Sequence, residues 1–572
     1  MVVWLRLPLR VCLLLGVAIA TRISAPDTSP GTSPLLRLIK EHGGGAAVAV
    51  GVSESGLRGL VTQRACAPGD VLLEVPLSLC IADGAEDGGA PLRRAAPRWS
   101  WNLPWNVQLA LSVLEQRQQS RTEGGSADPF LDSWPAEPPP LPTACGPEEL
   151  SLSSDPSLST KADEAFFWID EQYWIAKERA EAASTIAQGA TDAGGETDAG
   201  WAISSATSSD DTDAADSSEG SEEDDAKGSW TAPVVSGEDF VSARAFRQAM
   251  ELVWSRCLRL SAGAHGVRRL LVPLLDLANH DAFPSAMYAY ANSTTCGPAI
   301  RLHAARAMRP GDEVTITYGE HSATHFALYY GFVPEPNPTD ALQLTLNDVL
   351  SVVPAEQLPA GGVAEALKML AKDGEAARDI TKGAAADMAP DVLLGHLFEL
   401  RASGPSADLV NVLCRVLVPP SGSTAEATAC RAVARVASAI ERALWEIEDD
   451  EEAEEEVEAD EALLRAARGE AEEEDQEEAE DEAEALSAVG ALLVSLRLSR
   501  RRLLISVRSQ MEEVAAACDD DPVEGCAQLA AILAAGDQPP PTYPVLDTLP
   551  VEEMEGWATR SWDWSSGAWV DE

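Results

Sequence analysis

The stretch LLVPLLDLANHDAF (270–283) and, after a short polar loop, RLHAARAMRPGDEVTITYGEHSATHFALYYGFV (301–333) together decide how this chain is read. Residues 270–277 form an apolar run too short for an average helix, which predicts a buried strand or short turn. NSTTCGP (292–298) is rich in turn formers, and residues 300–304 alternate apolar and polar as a half-buried strand does. Arg309, Pro310, Gly311 and Asp312 make a turn, followed by the β-branched strand EVTITY (313–318). Ser322 is placed to cap a short helix running to Tyr330, with Gly331 ending it. Polar and aromatic residues stand at the edges of these elements: Asn279 and His280 after the apolar run, Tyr318 at a strand end, Tyr329 and Tyr330 at a helix end. Singly, each is an ordinary turn or core-edge residue.

Order and spacing change that reading. DLANH (276–280), then GDEVTITYGE (311–320), then LYYGF (328–332) resembles the C-terminal half of the SET domain of protein methyltransferases. The likeness is to the group typified by the RuBisCO large-subunit lysine methyltransferase, whose relatives include an actin-histidine methyltransferase. SGLRGLV (55–61), a Pro-Gly-Asp turn at 68–70 and the strand predicted over 71–81 resemble the N-terminal half. The implied fold is α+β: a β-rich split SET domain of the pseudoknot type with a helical insert, followed by an all-α C-terminal substrate-binding domain.

That resemblance also implies a site. The turn Gly56, Leu57, Arg58, Gly59 would bring backbone to the methionine end of S-adenosyl-L-methionine, where a glycine lets the main chain approach closely. Arg256, in WSRCLRL (254–260), would hold the methionine carboxylate. Asn279 and His280 would face the adenine edge. Tyr318 and Tyr330 would line the channel, Tyr330 also touching the cofactor. Tyr318 is the catalytic candidate, orienting an amine in a desolvated channel, and Asp276 and Tyr290 complete the substrate side. Aromatic faces favour a methylated ammonium by about 0.5–2 kcal/mol. Asp276 reads equally well as a turn-capping aspartate. The acceptor is a lysine of a protein substrate, with two alternatives: a histidine ring nitrogen on the same scaffold, or a catalytically silent SET fold used as a binding module.

The rest of the 572 residues sorts by composition. Residues 1–20 carry Arg6, Arg10 and the apolar run VCLLLGVAIA, a secretory-type signal or organelle transit segment rather than an anchor. Entry to the secretory pathway or an organelle follows, a plastid reached by the secretory route included. No stable membrane span is expected once the segment is removed. Residues 35–118 are assigned to the N-terminal half and 119–269 to the insert. Within the insert, 105–116 and 163–182 read as helical, FLDSWP (130–135) resembles a segment of the same enzymes, and 183–230 reads as disordered. Phe246, Met250, Val253, Trp254 and Cys257 recur at helical spacing as a buried face.

Residues 270–333 form the C-terminal half. Residues 334–548 read as a helical domain, with helices over 354–371, 390–402, 406–418, 424–447 and 486–517 and a solvated, partly helical acidic insert at 446–484. Arg500, Arg501 and Arg502 are free to pair with that insert or elsewhere. The tail, 549–572, has four tryptophans and no period. With 42 basic and 93 acidic residues the net charge is −51, which excludes non-specific nucleic-acid binding and favours a basic protein partner. The ten cysteines show no C-x-x-C and no zinc spacing, so no metal site is expected. Oligomeric state is not encoded legibly.

Overall fold

In the computed structural model, β-branched residues mark some of the strands, such as VAVGV (48–52) and EVTI (313–316), and strands pair across long sequence gaps. Described are residues 34–53, 56–83, 98–122, 128–135, 138–192, 241–261, 267–354, 397–406, 409–410, 412–413, 417, 425–445, 450–468, 486–536, 560–563 and 568–571. The chain divides into two units, one of Ala20–Ala144, Thr160–Tyr318 and Val545–Glu572, the other of Met1–Ile19, Cys145–Ser159 and Gly319–Pro544.

The first unit has strands β1 (Gly45–Ala46), β2 (Val48–Val52), β3 (Arg58–Thr62), β4 (Val71–Pro76), β5 (Ile81–Ala82), β6 (Leu258–Ser261), β7 (Val267–Leu271), β8 (Asn279–His280), β9 (Ala286–Ser293), β10 (Gly297–Ala304) and β11 (Glu313–Ile316). Their orders are β1-β4-β10-β9, β2-β3-β11-β8 and β5-β7-β6. Each sheet joins a strand from residues 45–82 to one from 258–316, so neither stretch completes a sheet without the other. β8 lies parallel to β11, with Asn279 opposite Thr315 and His280 opposite Ile316. Four helices belong here wholly or in large part: α1 (Pro34–Glu41), α2 (Trp105–Thr122), α3 (Pro156–Asp192) and α4 (Ala243–Arg256). In α4, Ser242 accepts from the Ala245 N–H as N-cap. The face predicted from spacing is buried at Phe246, Met250 and Val253, while Trp254 is half-buried and stacks on Trp168.

Several expectations change here. The strand expected over 71–81 stops at Pro76, which lacks an N–H to continue the ladder; a 3-10 turn, Leu77–Leu79, then redirects the chain into β5 on another sheet. The strand expected to reach Tyr318 ends at Ile316. The polar loop shrinks to a tight turn, because β9 occupies Ala286–Ser293 and pairs residue by residue with β10. α3 continues to Asp192, so the start of the segment expected to be disordered is helical. The remainder of 183–230 lies outside the described residues, as does 1–20. In the tail, Arg560–Asp563 (β15) and Ala568–Asp571 (β16) pair as a hairpin that no strand period foretold.

In the second unit, α5 (Ala323–Tyr330) has Ser322 accepting from the His325 N–H and ends at Gly331 with φ +76°, as expected. α6 (Leu346–Ser351), α7 (Ala425–Trp445), α8 (Asp450–Ala467), α9 (Ala488–Asp520) and α10 (Pro522–Gly536) follow. This unit is not all-α. Ala341–Thr345 (β12), Leu397–Arg401 (β13) and Gly404–Pro405 (β14) form an antiparallel sheet. A helix was expected over 390–402, but LFELR alternates buried and exposed at period two, and Phe398 and Leu400 enter the core. The helices expected over 354–371 and across most of 406–418 lie outside the described residues. Nor is the acidic insert simply a solvated segment. Leu464 of α8 packs with Ala491, Val494 and Leu498 of α9. Asp460, 2% exposed, takes Arg497 and Arg501, while Arg502 reaches Glu461 and Glu335, and Arg500 faces Asp155. The arginine run therefore pairs both with the insert and elsewhere.

Candidate active site

In the first unit, β3, β8 and β11 bring together residues far apart in sequence. Gly59 is buried, and a Cβ there would lie 2.6 Å from Asn279 Nδ2 and 3.2 Å from Glu313 Oε1. Only glycine admits the amide at that distance. Asn279 Nδ2 donates to Glu313 Oε1 at 2.7 Å and to the Arg58 carbonyl at 3.4 Å. His280 Nδ1 accepts from the Tyr318 N–H at 3.2 Å, and the two rings lie 5.4 Å apart. The Tyr318 hydroxyl donates to the Ala278 carbonyl at 2.7 Å. Burial, outweighing the Arg256 charge, pushes its pKa up to about 12, so it stays protonated at neutral pH. Gly56, with φ +80°, turns the chain into Leu57 and Arg58.

A second cluster sits at the end of α4. Arg256 Nη1 donates to the Asp276 carbonyl at 3.0 Å and lies 3.7 Å from its carboxylate. Trp134 Nε1 donates to Asp276 Oδ2 at 2.6 Å, and the Arg256 guanidinium lies over the Trp134 ring at 5.7 Å. Burial raises the Asp276 pKa to about 6 against the Arg256 charge, the Trp134 bond and the Arg58 charge. Desolvation, then the Arg256 charge, pulls the Arg58 pKa down. Asp276 Oδ1 and Arg256 Nε are buried without a hydrogen-bond partner. Preceding the cluster, Leu274 is fully buried at φ +69°, strain of about 1–3 kcal/mol that its packing holds in place.

The predicted residues are thus distributed unevenly. Gly59, Asn279, His280 and Tyr318 meet, the Arg58 carbonyl accepts from Asn279, and the Arg58 guanidinium, donating to the Ser133 carbonyl, feels the charges of Arg256 and Asp276. Asp276 accepts from both Arg256 and Trp134. Tyr290 stands on β9, in the other large sheet, its hydroxyl donating to Asn292 Oδ1 at 3.3 Å and its pKa raised by burial. Tyr330 belongs to the second unit. There it is half-buried among Phe326, Phe332 and His325, and His321 stacks on His325 at 4.0 Å. Sequence reasoning missed Glu313 and Trp134. The alternation of EVTI puts Glu313 on the face of Thr315, opposite Asn279, which was the available signal; Trp134 lies within FLDSWP.

Solved SET-domain structures match this chain. The SET domain of LSMT bound to lysine and AdoHcy is 16% identical with a TM-score of 0.48, over 86% of this chain and 94% of that one. The same domain bound to MeLysine and AdoHcy gives 16% and 0.46 with the same coverage, and Rubisco LSMT bound to AdoMet gives 15% and 0.44. No residue role follows from a likeness of this size. No protein-family model matches, and no curated protein does. Among the described residues no group of three or more His, Cys, Asp or Glu could hold a metal, and no helix is long and apolar enough to cross a membrane.

Proposed function

We propose that this chain is an S-adenosyl-L-methionine-dependent methyltransferase of the SET class, acting on lysine side chains of a protein substrate. The observation that carries the reading is the meeting of Gly59, Asn279, His280 and Tyr318 across a separation of 221 residues between Arg58 and Asn279. On this reading the three sheets of the first unit are a split SET core of the pseudoknot type, and the helices of the second unit carry substrate binding.

The residues fit the cofactor. Gly56 offers backbone with open space where a side chain would stand, and the unpartnered Arg256 Nε–H is a donor suited to a carboxylate. Asn279 and His280 hold the nucleoside side. When bound, S-adenosylmethionine supplies an electrophilic methyl group. Tyr318 acts on the acceptor: with its O–H donated to Ala278, its oxygen is of the kind that accepts an amine N–H and turns the nitrogen lone pair outward. Alignment of this kind is worth up to about 7–11 kcal/mol. Asp276 steadies Arg256 and Trp134 and so acts on the substrate side only at second hand, and Tyr290 contributes its half-buried ring. The net charge of −51 favours a basic substrate protein. Delivery through the secretory pathway or into an organelle remains part of the proposal.

The test is incubation of the purified chain with isotopically labelled S-adenosylmethionine and proteins of its source, followed by mass spectrometry of labelled peptides. A labelled lysine is the expected result. A labelled histidine ring would redirect the acceptor, and absence of both labelling and cofactor binding would leave only a binding module.

A further inference from the structure

We propose that Glu313 is a positioning residue that holds the Asn279 amide with its NH2 turned inward, so that the side chain meets a ligand with its carbonyl oxygen alone and selects a nitrogen donor. The inference rests on the functional reading above and deepens it.

Asn279 Nδ2 faces two groups, Glu313 Oε1 at 2.7 Å and the Arg58 carbonyl at 3.4 Å. Both are acceptors. A flipped amide would set Oδ1 against a carboxylate and a carbonyl, three acceptors with no proton among them, so the orientation is fixed by chemistry. Both amide protons are then engaged, and Oδ1 is what remains for a ligand. The backbone enforces the contact from both sides: the parallel pairing of Asn279 with Thr315 sets the amide beside β11, and the missing Cβ of Gly59 lets it lie flat there. Glu313 is half-buried, which strengthens its charge-assisted bond relative to one in water. S-adenosylmethionine carries two N–H donors that such an oxygen could take, the 6-amino group of the purine and the α-amino group of the methionine end. A ligand offering a carbonyl or a bare carbon at that point leaves Oδ1 unpaired.

The experiment is titration calorimetry of the full chain, as wild type, Glu313→Gln and the double variant Asn279→Asp/Glu313→Gln. Three probes are used: S-adenosyl-L-homocysteine, S-inosyl-L-homocysteine with its 6-oxo purine, and the S-adenosyl compound lacking the α-amino group. Wild type should bind S-adenosylhomocysteine about tenfold tighter than one of the two analogues, and which one identifies the donor. Glu313→Gln lets the amide turn either way, so affinity should fall about tenfold and the discrimination shrink to about threefold or less. The double variant exchanges the two groups: the introduced glutamine amide donates to the introduced carboxylate, whose other oxygen again faces the ligand, although the inner oxygen now stands near the Arg58 carbonyl with no proton between them. Discrimination should return to within about threefold of wild type, while affinity recovers only in part because the Arg58 carbonyl has lost its donor. A residue needed merely for folding predicts no such recovery, and urea unfolding of all three proteins reports folding separately. Unchanged affinity and discrimination in Glu313→Gln, no discrimination by wild type, or a double variant that discriminates no better than the single one each overturns the role of Glu313. A folded wild type that binds none of the probes overturns the functional reading itself, and the inference with it.

Discussion

At the scale of single residues, Tyr318 and Asp276 make opposite demands on an experiment. Tyr318→Phe keeps the ring against His280 and removes the hydroxyl that donates to Ala278. Turnover should fall by about 10- to 1,000-fold, the loss of one positioned hydrogen bond of about 1.4–4 kcal/mol, with cofactor affinity little changed. Steady-state rates beside calorimetric Kd values check this, and wild-type turnover in a well-folded variant would remove Tyr318 from the chemistry. Asp276 is read through pH. Its folded pKa of about 6 lies above the unfolded carboxylate value of about 3.9, so the native state holds the proton more tightly. Its contribution is therefore fully present below about pH 4 and lost as pH rises through about 6, by about 1.4 kcal/mol per pH unit in that window. Asp276→Asn should lack this component. Urea unfolding of both proteins at a series of pH values gives the difference, and parallel curves would show that Asp276 does not titrate there.

At the scale of elements, α8 is the instructive case. Its composition is that of a solvated acidic helix, yet Asp460 is buried between Arg497 and Arg501, and Arg501 is itself buried. Asp460→Ala leaves two guanidinium groups without that carboxylate, one of them buried, and should cost about 3–5 kcal/mol. Chemical denaturation measures it, with the exposed Glu455→Ala of the same helix as the comparison. Equal stability of the two variants would return α8 to the status of a surface appendage. Sequence reading failed here because burial of a charge depends on what stands opposite, and Arg497 lies 37 residues away. α5 was legible in full, since its cap, its C-terminal glycine and its apolar residues are all local signals.

At the scale of the whole molecule, charge dominates. A net charge of −51 should draw in a basic substrate and weaken as salt shortens the Debye length from about 10 Å at 0.1 M to about 3 Å at 1 M. KM for a lysine-rich protein substrate should rise over that range while kcat changes little; a KM independent of salt would argue that the charge serves solubility alone. Cofactor binding, by contrast, should be unaffected by a chelator, and loss of binding on chelation would reveal a metal that the cysteine spacing does not suggest.

The sequence by itself determined the local elements of the site and the order in which its parts appear. DLANH, GDEVTITYGE and LYYGF carry their turn formers, β-branched runs and helix caps within a few residues, and period and capping are short-range physics. Tertiary structure alone decided which parts touch. That Gly59 receives the Asn279 amide, that Glu313 fixes it, and that Asp276 meets Arg256 and Trp134 all follow from strand pairings and packing, across more than a hundred residues for Gly59 with Asn279 and for Trp134 with Asp276. The same holds for β13, whose alternation was readable but was outweighed by the helical composition around it. A segment's own propensity sets what it can form; the burial available from distant partners sets what it does form.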